Sequence, residues 1–183
     1  MTRRDRFLIA FAVLAVAQLA VPGSRLLLRE LTLRTGARYR FQTAPVDPYD
    51  AFRGRFVSVR ATADVAPFDG AQVPKHGERV YVSVAEGEDG FARLTSADTS
   101  RPASGDYIAA RMAGTISSNE VRVALPLDRF YMNERLAPEA ERAYRQSAGA
   151  RDAWLAVRVR RGMAVIEELY IGEKPIAEYL KAE

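Results

Sequence analysis

The fold class predicted for this 183-residue chain is mainly β: an antiparallel barrel or curled sheet of about six to eight strands, with one covering helix and an N-terminal membrane helix ahead of it. Three observations predict it. A run of fifteen residues near the N-terminus contains one polar side chain. Period-two alternation of apolar and polar residues recurs through the remainder, and tight-turn residues separate the alternating runs. Only one stretch, late in the chain, repeats at the helical period.

Arg3, Arg4 and Arg6 precede Phe7–Val21, in which Gln18 is the polar exception. As a helix this run spans about 22 Å, short of a hydrocarbon core of roughly 30 Å. Extended through Pro22, Gly23, Ser24 and Arg25 to Leu28, it becomes long enough, with Arg25 reaching for the far interface. A basic start, a short apolar run and Ala15-Val16-Ala17 also fit a cleaved signal peptide, and a buried core helix is a third reading. The resumption of apolar residues at Leu26–Leu28 and an amphipathic continuation to Leu33 favour an uncleaved signal anchor. Residues 1–35 are therefore expected to form an anchor and juxtamembrane helix, and residues 36–183 an extracytoplasmic β-rich domain.

Orientation is contested within the sequence. Three arginines precede the run, and Arg25, Arg29, Arg34, Arg38 and Arg40 come after it, so counting alone would keep the C-terminal domain in the cytoplasm. Long domains nevertheless translocate largely regardless of charge, and anchors of this shape export the domain attached to them. The expectation is a single-pass membrane protein whose C-terminal domain is exported.

Gly36 then ends the helix in the manner of a C-cap, and Ala37–Gln42 begins an extended run. Arg55–Ala63 alternates at period two. Phe68–Glu78, with Gly70, Pro74 and Gly77, reads as loop. Glu78–Ala85 and Phe91–Thr95 flank Glu86–Gly90, Asp106–Ile116 and Glu120–Leu125 flank Ser117–Asn119, and Ala153–Arg160 and Met163–Ile171 flank Arg161-Gly162: three hairpins. Asn133–Ala148 carries Leu136, Ala140, Ala143 and Tyr144 at helical spacing; Asn133 is a candidate cap, while Pro138 favours a start nearer Ala137.

Composition narrows the function classes. The chain has no cysteine, which excludes a disulfide framework, thiolate metal sites and a cysteine nucleophile. All but three of the 27 basic residues are arginine, and they are interleaved with acids rather than alternating with aromatics. The net charge of +4 is thus not read as nucleic-acid binding. Arginines near the anchor are suited to anionic lipid headgroups. The only histidine, His76, lies in a loop, and Lys75, Lys174 and Lys181 occupy no apolar setting for a Ser-Lys dyad. No catalytic residue, metal or cofactor is expected.

Thr43–Val59 is the segment with the strongest signal. Asp47 precedes Pro48 and is pushed toward extended backbone, Asp50 is placed to cap a turn, and Gly54 frees the chain where a strand starts. The plain alternative is a well-made turn in which Arg53 pairs with one aspartate.

Pro45-Val46-Asp47-Pro48, Asp50 and Phe52-Arg53-Gly54 with the adjoining strand, Arg129–Glu134, and Leu169–Pro175 together resemble the GDYXXLXY family: bacterial membrane-anchored proteins of unknown function, named for a motif. The motif itself is degenerate here. Its aspartate is replaced by Arg55, its first tyrosine by Phe56, its leucine by Val59 and its last tyrosine by Ala61. The alternation survives and two polar handles are lost, which suits a packing or docking role better than chemistry at those positions. The resemblance implies no activity, and a multi-pass membrane protein as companion. The expected binding residues are Pro45, Asp47, Pro48, Asp50, Arg53, Gly54, Phe56, Tyr131 and Glu134, in a binding or assembly module for a membrane or envelope protein. The alternative is a carboxylate-based hydrolase of envelope material, for which Asp47, Asp50 and Glu134 would have to converge.

Overall fold

The computed structural model describes residues 3–44, 56–68, 70 and 72–182. It opens with α1 (Arg3–Thr35), 33 residues or about 50 Å long. Its most apolar 18-residue stretch is wholly unburied, so the segment is not a core helix; by length and composition it is able to cross a membrane. Pro22 lies within it without ending it.

The last turn of α1 docks onto the rest of the chain. Thr32 is buried and returns its hydroxyl to the Leu28 carbonyl at 2.8 Å. Gly36 donates its N–H to the Thr32 carbonyl at 2.8 Å. A Cβ on Gly36 would lie 2.6 Å from Thr32 O and 2.9 Å from Val159 O. Glycine is required here by close backbone approach and not by the left-handed conformation a C-cap would use.

Among the described residues the strands form three sheets. The first orders β1 (Ala37–Gln42), β9 (Ala153–Arg160), β10 (Met163–Ile171) and β11 (Lys174–Pro175), all antiparallel. The second pairs β2 (Phe56–Ser58) with β8 (Arg129–Tyr131). The third runs β3 (Val65–Pro67), β7 (Glu120–Ala124), β6 (Tyr107–Ser117), β4 (Arg79–Glu86) and β5 (Ala92–Asp98). A bridge from Phe68 to Ala97 brings its two edges together, so this five-stranded sheet is nearly closed. Bridges Thr43–Ala61 and Ile108–Gly162 tie the sheets to one another. Among the described residues, four of the eleven strands have only two or three residues; the other seven, within the expected six to eight, are divided between the first and third sheets.

Local chemistry explains the well-formed hairpins. Arg161 and Gly162 both have positive φ, 48° and 86°, which gives the two-residue turn the hand that matches strand twist. Core positions alternate along β4, where Val80, Val82 and Val84 are buried between half-exposed neighbours. β9 is buried continuously from Ala153 to Val157, because sheet neighbours flank it on both sides while α1 and α2 (Ala137–Gly149) pack on it.

Two expectations are corrected. Arg55–Ala63 is not one paired strand: β2 covers Phe56–Ser58, and Ala61 bridges a different sheet. Its alternation holds, with Val57, Val59 and Ala61 buried, because one face stays on the core as the pairing changes hands. Asn133 does not cap α2. Its Oδ1 accepts from Arg135 N at 3.0 Å in an Asx turn, and the helix starts at Ala137 with Pro138 in its first turn. A C-terminal helix, α3 (Ile176–Ala182), was not expected; its first residue, Ile176, is fully buried.

Candidate functional site

Of the expected binding residues, Pro45, Asp47, Pro48, Asp50, Arg53 and Gly54 lie outside the described residues. The flanks of that connector are defined. Ala44 N–H donates to the Arg60 carbonyl at 2.9 Å, and the buried Thr43 donates its hydroxyl to Ala153 O at 2.8 Å. Tyr144, fully buried on α2, clamps both flanks: its hydroxyl donates to Ala44 O at 2.9 Å and accepts from Arg60 N at 3.4 Å. Burial pushes the Tyr144 hydroxyl's pKa above its ordinary value, so it stays a neutral donor.

Phe56 and Tyr131 are brought together. They are register partners in the β2–β8 pair, with ring centroids 5.8 Å apart at 60°. The Arg129 guanidinium sits over the Phe56 ring at 5.1 Å. Tyr131 is 57% exposed. Glu134 is exposed on the turn leading to α2.

β8 forms one wall of a groove of about 640 Å³ whose other walls are α1 and the first half of β10. Arg25 and Arg29 enter from α1, Asp128–Tyr131 from the β8 side and Met163–Glu167 from β10. Beside it lies an ionic cluster that joins the end of α1 to the sheet. Glu167 accepts from Arg38 Nε at 2.9 Å and from Arg158 Nη2 at 3.0 Å, and Arg158 Nη1 donates to the Gly36 carbonyl at 3.2 Å. Burial opposes the charge on Glu167, but the hydrogen bonds from Arg158 and Arg38 outweigh it, and its pKa falls below the usual carboxylate value. Register slips between Ile166 and Glu168, so Glu167 is the extra residue of a β-bulge that places its carboxylate beside Arg38 and Arg158.

A family model for GDYXXLXY protein matches residues 18–169, most of the chain. The chain belongs to the GDYXXLXY family. No curated protein and no solved structure matches it. The GDYXXLXY match takes in the second half of α1, every element from β1 to β9 and most of β10, so the domain-proximal end of α1 is part of what the family model covers.

Within the GDYXXLXY motif, this member keeps a ring where the hydroxyl is lost: Phe56 packs at a tilt against Tyr131 and beneath Arg129, contacts that need no hydroxyl. The Val59 and Ala61 positions face the core. The expected binding residues leave out Arg25, Arg29, Arg129 and Glu167, although arginines near the apolar run are read as suited to anionic headgroups. The signal for Glu167 was present in the Glu167-Glu168 pair, which breaks the alternation of β10 as a bulge does. His76, by contrast, is an exposed loop residue with Nδ1 3.0 Å from the Ala113 carbonyl.

Proposed function

We propose that this GDYXXLXY protein is an extracytoplasmic binding or assembly module, held in the bacterial inner membrane by α1 and docked onto an envelope or multi-pass membrane protein. The observation that carries the reading is continuity. An exposed apolar helix runs directly into a domain that presents the exposed Tyr131 on β8, so a partner lying in the membrane plane would meet helix and domain together.

The test is to solubilise membranes containing the tagged full chain in mild detergent and identify what co-elutes. A stoichiometric membrane protein is expected, its recovery reduced by Tyr131→Ala and by Asp47→Ala with Arg53→Ala. Recovery of the chain alone would sink the assembly reading. Sidedness is checked with Ser118→Cys, a single thiol in the exposed β6–β7 turn of a cysteine-free chain. Labelling by an impermeant maleimide in intact spheroplasts is expected, and labelling only after lysis would place the domain in the cytoplasm. The carboxylate hydrolase has no observation of its own among the described residues, since Asp47 and Asp50 lie outside them and Glu134 is exposed.

A further inference from the structure

We propose that the groove between α1, β8 and the first half of β10 binds the headgroup of one anionic phospholipid; this rests on the reading of α1 as a membrane anchor. The charges in the groove are unequally committed. Its acids are taken: Asp128 pairs with Arg129 at 3.3 Å, and Glu167 with Arg38 and Arg158. Arg25 and Arg29 have no ion-pair partner among the described residues, and both are exposed. Four residues apart, they lie one above the other on a single helix face.

Position and lining agree with that occupant. Arg25 lies just inside the end of the apolar run at Leu28 and Arg29 just beyond it, which is the depth of lipid phosphates when the run spans the hydrocarbon. Guanidinium forks match phosphate oxygens in bidentate geometry. Opposite them, Phe130, Met163 and Val165 supply an apolar wall suited to the first methylenes of an acyl chain. A partner's apolar transmembrane segment would use that wall but leave both guanidiniums unanswered. A zwitterionic headgroup brings its own cation to the same place and gains less.

The experiment uses the full chain in mild detergent and counts retained lipid by native mass spectrometry. Dioctanoyl phosphatidylglycerol, dioctanoyl phosphatidylcholine and glycerol phosphate are titrated separately. One retained phosphatidylglycerol is expected, at a concentration roughly tenfold below that needed for phosphatidylcholine. Arg25→Gln with Arg29→Gln should abolish the preference, and Arg142→Gln with Arg145→Gln on α2, which removes equal charge elsewhere, should leave it. Equal retention of both lipids, a preference surviving the Arg25 and Arg29 changes, or equal occupancy by glycerol phosphate would each overturn the proposal. An alkaline carbonate wash of membranes separates the two readings. If the chain is washed off, the anchor reading fails; if it stays but shows no lipid preference, only the groove proposal fails.

Discussion

Arg158 donates from Nη1 to the carbonyl of Gly36 at 3.2 Å, joining the middle of β9 to the residue at which α1 gives way to β1. α1 is thereby continuous with the sheet in hydrogen bonding as well as in sequence. Arg158 also holds Glu167, so the same side chain links helix end, β9 and the bulge of β10.

Gly36→Ala should destabilise the protein by about 1 to 3 kcal/mol, the range for forcing an extra methyl into packed structure. The atoms its Cβ would meet, Thr32 O, Val159 O and Val159 N, are all backbone and have little room to yield. Gly23→Ala is the matched control, because nothing lies within 4 Å of its Cβ position. Urea unfolding of the full chain in detergent measures both, and equal midpoints would refute the close-approach account.

Glu167→Gln should cost about 1.5 kcal/mol near neutral pH, within the range for hydrogen bonds to charged groups. Its folded-state pKa lies below the ordinary 4.5, so the contribution is present above that value and lost as pH falls through the folded pKa. The stability difference between wild type and variant should therefore close on acidification. A difference that stayed constant from pH 7 to pH 3 would show that Glu167 acts through packing instead.

Tyr144→Phe should cost about 1 kcal/mol, since the half-buried Ala44 carbonyl loses its donor and Arg60 N its acceptor. Hydrogen exchange at the Arg60 amide should accelerate more than exchange in β9, whose amides are held by sheet neighbours. Uniform acceleration across both would mean that Tyr144 supports the fold globally and does not clamp the connector's flanks.

Phe56 and Tyr131 should show a coupling of about 0.5 to 1.5 kcal/mol in a double-mutant cycle to alanine, as tilted aromatic pairs do. Phe56→Tyr, which restores the family's residue at that position, should leave stability nearly unchanged, because the contacts Phe56 makes are ring contacts. A large gain from Phe56→Tyr would indicate a hydroxyl partner that the ring contacts do not account for.

Elements whose signals are local are legible in the residues alone. The apolar run of α1, the extended Ala37–Gln42, and the hairpin of Ala153–Arg160 and Met163–Ile171 about Arg161-Gly162 are read directly, since side-chain period and turn conformation act within a few residues. The family resemblance was legible for the same reason, being carried by short runs of residues. Tertiary structure alone decided the rest. β8 is three residues long and becomes a strand only by pairing with β2, more than seventy positions away in the chain. Arg55–Ala63 has one alternation yet serves two sheets, because alternation specifies which face is buried and not which neighbour supplies the hydrogen bonds. The groove depends on α1, β8 and β10 meeting, and no local pattern in any of the three encodes the other two. Glycine at position 36 was visible from the start; that it is there to let a helix end touch β9 is a fact of packing between distant segments.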